Sequence, residues 1–109
     1  MTMQDRLLVY IAGPYTHPDP VSNTHRAIKV ADDLVALGYT VFVPHLALIW
    51  HMVSPQPADF WYAYDLSILR RCDILYRLHG LSQGADREVL IAEQLGIPVF
   101  YEWNKRAEG

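Results

Sequence analysis

The chain has one cysteine, Cys72, so no disulfide can form within it, and a reducing compartment fits that usage. It has no basic surplus. Lys and Arg number 9 against 12 Asp and Glu, giving a formal charge of −3, and only Arg70-Arg71 and Lys105-Arg106 are adjacent. A nucleic-acid polymer is normally met by a basic stripe, so that class of partner is argued against, while a small pocket for one phosphate is not. There is no long apolar run. The one near the N-terminus, Leu7 to Ala12, is too short for a signal sequence and far too short to span a bilayer. A soluble cytoplasmic protein with no membrane partner is therefore expected. Metal spacing is missing as well. The five histidines (His17, His25, His45, His51, His79) form no HExxH, and no CxxC occurs. GxGxxG and GxxxxGK[ST] are absent, and Ser82 does not sit in GxSxG. Neither a metal nor a cofactor is expected, and no hydrolase elbow.

What is present is one domain, residues 1–109, with 51% hydrophobic residues and a modest core. Arg6 to Ala12 reads as a strand buried on both faces, ended by Gly13-Pro14. A loop rich in Pro, Asp, Ser and Asn follows. Thr24 to Leu37 has helical spacing, with Ser22 or Asn23 as its cap and Gly38 after its end. Tyr39 to Val43 is a second strand. His45 to Pro57 is apolar but bounded by prolines, and reads as a long connection with a short helical turn, serving as lid, pocket wall or oligomer surface. Ala58 to Arg71 is a second helix with an aromatic face of Phe60, Trp61 and Tyr64. Ile74 to Leu78 and Pro98 to Tyr101 are further strands, with a helix from Glu88 to Leu95 between them. The tail from Trp103 to Gly109 is expected to fray. Strands alternating with helices predict an α/β fold, a flavodoxin-like or Rossmann-like three-layer arrangement with a parallel sheet of order 2-1-3-4. In that order the loops after strands 1 and 3 face one crevice at the carboxyl edge of the sheet.

The loop after strand 3, Ser82-Gln83-Gly84-Ala85-Asp86-Arg87-Glu88, combines backbone N–H groups free to bind an anion with a carboxylate in the first helical turn. It also reads as an ordinary capped helix start, with Ser82 or Asp86 as cap. Glu88 suits a nucleophile or base, kept ionised by the helix N-terminus. Asp65, Asp73 and Asp86 are the other carboxylates near that edge. Asp65 lies among aromatics, where a carboxylate needs either exposure or a partner. Asp73 reads as structural, tying down a backbone turn. Tyr15 leaves strand 1 toward the same crevice, either as a rim residue or with its phenol on the carboxylate. His17 and His79 are close enough in sequence to Tyr15 and Ser82 to line the pocket, or to stay on the surface.

Four segments together give a resemblance: Ile11-Ala12-Gly13-Pro14-Tyr15, then Asp65 through Asp73, then Ser82-Gln83-Gly84-Ala85-Asp86-Arg87-Glu88-Val89, closing with Ala92-Glu93-Gln94-Leu95-Gly96-Ile97-Pro98-Val99. The chain resembles the nucleoside 2-deoxyribosyltransferase superfamily. That group includes deoxynucleoside 5′-monophosphate N-glycosidases and small uncharacterised domains, the latter being the nearest in pattern. The resemblance implies cleavage of an N-glycosidic bond, without cofactor, in a nucleoside or nucleoside 5′-monophosphate. Glu88 matches the nucleophile, Tyr15 the tyrosine that orients it, and Asp65 the aspartate that serves the departing base. Ser82 matches the serine that helps hold a 5′-phosphate in the hydrolases, where transferases carry aspartate. Gly13 and Gly84 fall in the substrate-binding loops. Thr16 to Pro20 lacks the Gly- and Arg-rich phosphate contacts of the hydrolases. The resemblance further implies a homodimer or larger homo-oligomer. Base exchange between nucleosides and a non-catalytic nucleotide-binding or sensing module are the alternatives it leaves open.

Overall fold

The computed structural model describes residues 5–102, so the tail from Trp103 to Gly109 lies outside the described residues. Four parallel strands, β1 (Leu8–Ala12), β2 (Thr40–Phe42), β3 (Ile74–Arg77) and β4 (Val99–Tyr101), lie in the order β2-β1-β3-β4, as the alternation of elements predicts. The helices are α1 (Pro20–Ala36), α2 (Ala47–Val53), α3 (Ala58–Leu69) and α4 (Gln83–Gln94), with a 3-10 turn at Pro44–Leu46.

β1 is central and buried on both faces, which explains its unbroken apolar run. Its alternation splits the core in two. Tyr10 and Ala12 pack with Leu69, Leu75, Ala85, Val89 and Ala92, on the side of α3 and α4. Ile11 packs with Ala27, Val43 and Leu78, on the side of α1. The register is pinned at the amino end of β1 by Asp73. Its Oδ2 accepts from the Leu8 N–H at 2.7 Å, and its own N–H donates to the Leu8 carbonyl at 2.8 Å. Asp73 is therefore structural and stands at the amino edge of the sheet, away from the carboxyl edge where the sequence suggested it.

Two helices start earlier than their apolar periodicity indicates. α1 begins at Pro20, not Thr24. Its N-cap is Asp19, whose carboxylate accepts from the N–H groups of Val21 and Ser22, and Pro20 sits where a missing N–H costs nothing. Asn23, expected as a cap, instead donates to the carbonyls of Tyr15 and His17, each at 2.9 Å, and so fixes the loop after β1. α4 begins at Gln83 because Ser82 is its N-cap, accepting from the Ala85 N–H at 3.1 Å. Glu88 accordingly lies in the second turn of α4, not the first. α1 closes with the Gly38 N–H on the Val35 carbonyl and the Tyr39 N–H on Leu34. Gly38 takes φ +106°, a left-handed conformation natural to glycine.

The segment from His45 to Pro57 is ordered into the 3-10 turn and α2. Trp50 of α2 packs edge-on against Trp61 and Tyr64 of α3, at centroid distances of 5.1 and 5.5 Å. That contact turns the aromatic face of α3 into the seat of α2.

Gly13 closes the fold where β1 leaves the sheet. A Cβ at this position would lie 2.8 Å from Cβ of Leu78, which is fully buried. Gly13→Ala is expected to lose roughly 1–3 kcal/mol in urea denaturation, the usual cost of overpacking. An unchanged midpoint would mean that Leu78 moves aside freely.

Candidate functional site

A cavity of ≈ 980 Å³ opens at the carboxyl ends of the strands, where the chain leaves β1 and β3 in opposite directions. The loop after β1 contributes Gly13, Tyr15 and His17. The segment after β2 contributes His45 and His51. α3 contributes Trp61, Tyr62 and Asp65, and the start of α4 contributes Ser82, Gly84, Arg87 and Glu88. Of the residues singled out from sequence, Glu88, Asp65, Tyr15, Gly13, Ser82, Gly84 and His17 are brought to this one cavity. His79 is not. It lies beside a smaller neighbouring hollow with Asp86 and Glu102, its N–H donating to Glu102 and its carbonyl accepting from Arg26.

Glu88 follows Ala85 at i+3 and precedes Val89 and Ala92, both buried, so it falls on the core-facing side of α4. There it is half-buried, and loss of water pushes its carboxyl up to about 7. The Tyr10 hydroxyl donates to Glu88 Oε2 from inside the central strand and pulls the other way, as do the more distant Arg77 and Arg87 guanidinium groups. Burial and the Glu88 charge raise the Tyr10 phenol far beyond its ordinary range, so it acts as a donor throughout. The phenol that holds Glu88 thus comes from Tyr10. Tyr15 lies on the cavity wall with its ring 6.0 Å from that of His45. Tyr10 was missed by the motif reading, yet a signal existed: a phenol in the middle of a buried strand needs a partner for its O–H.

Asp65 is also half-buried on the cavity side of α3, and burial pushes it up to about 7. Ionised Asp65 raises Glu88 further by repulsion. The two carboxyls differ in what supports their charge. Glu88 has the Tyr10 hydroxyl and two guanidinium groups, whereas Asp65 is raised by burial. The Tyr10 hydroxyl thus supports the ionised form of Glu88 directly.

The loop that carries Ser82 is held by Arg77, a buried guanidinium that donates to the carbonyls of Leu78 and Gly80 and pairs with Asp86 at 2.9 Å. Asp86 is thereby turned out of the cavity and neutralised. Arg87 is left to stack over the Tyr62 ring, 4.0 Å from its centroid, on the cavity wall. The Ser82 hydroxyl accepts from Ala85 and keeps its own O–H to donate. His45 is buried with Nε2 3.0 Å from the Pro14 carbonyl, which joins the β2 exit to the β1 loop, and burial lowers its pKa. Among the described residues no three His, Cys, Asp or Glu are grouped to hold a metal ion, and no helix is long and apolar enough to cross a membrane.

A family model described as "Domain of unknown function (DUF4406)" matches residues 7–101. No curated protein matches the chain. Among solved structures the chain is similar to a 2-deoxyribosyltransferase from the psychrotolerant bacterium Bacillus psychrosaccharolyticus, with a TM-score of 0.63 and 22% identity. The match covers 92% of this chain and 78% of that one. At this identity the likeness is one of fold.

The raised Glu88 carboxyl carries a stability signature. A group whose folded pKa lies above its unfolded value favours the folded state while protonated. That advantage is lost as pH rises from the ordinary 4.5 through about 7. Glu88→Gln carries no charge at any pH and escapes the loss. In chemical denaturation it is expected to be about 3 kcal/mol more stable than wild type near pH 8, and about equal near pH 4. Parallel pH profiles for the two proteins would refute the raised carboxyl.

Proposed function

The chain belongs to the DUF4406 family, and within it we propose an N-glycosidase that acts on a nucleoside 5′-monophosphate through a covalent glycosyl–Glu88 intermediate resolved by water. The observation that carries this reading is the carboxyl pair. Glu88 and Asp65 line one cavity, both raised by burial to about 7, and the Tyr10 hydroxyl donates to Glu88. Glycosyl transfer needs a carboxylate nucleophile and a proton donor, and the reading gives the first role to Glu88 and the second to Asp65.

The Glu88 carboxylate attacks C1′ of the sugar as the C1′–N bond breaks, and the bonding electrons leave with the base. Asp65 delivers its proton to the base nitrogen. Its carboxylate then takes a proton from water, which attacks C1′ and releases Glu88 with net retention. The Tyr10 hydroxyl aims Glu88 and holds its charge before attack. Tyr15 flanks the sugar from the β1 loop, whose close approach Gly13 permits. The 5′-phosphate is assigned to the amino end of α4, where the Ser82 hydroxyl and the Gly84 N–H meet it. Arg87 lines the same cavity and offers a cationic group in place of the Gly- and Arg-rich contacts that the Thr16–Pro20 loop lacks, and His17 of that loop adds a polar group. His79, outside the cavity, takes no part.

Base exchange is the second reading, favoured by the fold likeness to a 2-deoxyribosyltransferase. It differs only in what captures the glycosyl group. The reading extends to a homo-oligomer in which the outer side of α2, with Ile49, Met52 and Val53 each well over half exposed, is covered by a second copy.

Free-base release from nucleosides and 5′-monophosphates, each with and without a second base, tests the proposal. Release without acceptor, favouring monophosphates and abolished in Glu88→Ala, is the expected result. Product only with an acceptor would move the assignment to transferase. Nucleotide-dependent stabilisation without release would leave a binding module. In sedimentation velocity at micromolar concentration, a mass above that of the monomer is expected, and a monomer would remove the oligomer.

A further inference from the structure

We infer that His51 reads the nucleobase, donating its Nε2–H to a carbonyl oxygen on the base, so that the site takes oxo-bearing bases such as the 6-oxopurines over amino-bearing ones such as adenine. This deepens the N-glycosidic reading of the same cavity and rests on it.

The argument begins with which ring nitrogen carries the proton. The Trp61 indole N–H is only a donor, and it points at His51 Nδ1 from 2.8 Å. The backbone N–H of Gln56 points at the same atom from 3.2 Å. Nδ1 is therefore an acceptor, and in the neutral ring the proton sits on Nε2. A ring flip would forfeit both bonds, so the donor is fixed in direction as well as in kind. Nε2 is thereby left as the donor of the ring, and among the described residues no group accepts from it. His51 itself lines the cavity.

Position then says which part of a ligand it meets. Trp61 and Asp65 are one turn apart on α3, and both line the cavity. His51, bonded to Trp61, thus joins the Asp65 wall, the wall assigned to the departing base. Ser82 and Gly84 stand at the amino end of α4, the wall assigned to phosphate. The assembly is stiffened by Trp50, whose ring lies edge-on to Trp61 at 85°. At the position where hypoxanthine and guanine carry the O6 acceptor, adenine carries an N6 amino donor. A fixed donor facing that amino group leaves two buried N–H groups without acceptors, a mismatch more costly than a lost contact. Trp61 is a positioning residue here, acting through His51.

The test is binding of free hypoxanthine and free adenine to the full chain by calorimetry at neutral pH. Wild type is expected to favour hypoxanthine by about tenfold or more, and His51→Phe, which keeps a flat ring without the donor, to bind both about equally. Trp61→Phe removes the pin and leaves the imidazole. It is expected to lose most of the preference while its melting profile stays cooperative, which separates positioning from folding should His51→Phe be unstable. A preference that survives in both variants, a wild type that binds adenine as tightly, or a wild type that binds neither base would overturn the inference. Preferential base binding in a protein that releases no base from any nucleotide would instead sink the glycosidic reading and leave the His51 assignment standing.

Discussion

The site depends on one contact, the Tyr10 hydroxyl donating to Glu88. It joins the middle of the central strand to the second turn of α4, so the Glu88 carboxylate is held from the core outward and not from a loop inward. Several other features serve that contact. Asp73 fixes the register of β1 against β3 and with it the height of Tyr10. Ser82 starts α4 early enough to turn Glu88 toward the sheet. Arg77 holds the connection between them.

Placing a carboxylate on the core-facing side of a helix is costly, and here the cost is partly offset by a single phenol and by remote positive charge. The outcome is a group poised near neutrality beside a second carboxyl in the same condition. Neither would behave this way on the exposed side of its helix. The helix amino end, which the sequence offered as the source of ionisation, is nearer to Ser82 and Gly84 than to Glu88. Its free N–H groups are better suited to a ligand's anion than to the side chain.

The sheet order, the crevice and most of the site were legible because they follow from alternation of elements and from short loops at strand exits. Gly13, Tyr15, Ser82, Gly84 and Glu88 needed only the topology to meet. What stayed hidden depended on side-chain direction over distance. Tyr10 sat inside an apolar run, where it counted as core. Asp86 counted among the carboxylates near the crevice, but Arg77 reaches across from β3 to pair with it. The segment from His45 to Pro57 gave no periodicity to read, because α2 has no buried residue and is positioned by Trp50 on α3. His51 could not be foreseen as a fixed donor, since its tautomer is set by an indole ten positions later. Helix starts were misjudged for a local reason: Asp19-Pro20 and Ser82-Gln83-Gly84 read as loop by composition, yet capped proline and glycine are at home in a first helical turn.

The chain has three tryptophans, and one of them, Trp61, lines the cavity with Trp50 packed edge-on against it. Trp61 faces the interior of the cavity while its N–H is engaged with an imidazole. Indole emission responds to a stacked neighbour and to the polarity around its N–H. The molecule thus has a built-in optical gauge of occupancy, placed on the wall where a flat aromatic guest would rest and needing no attached dye.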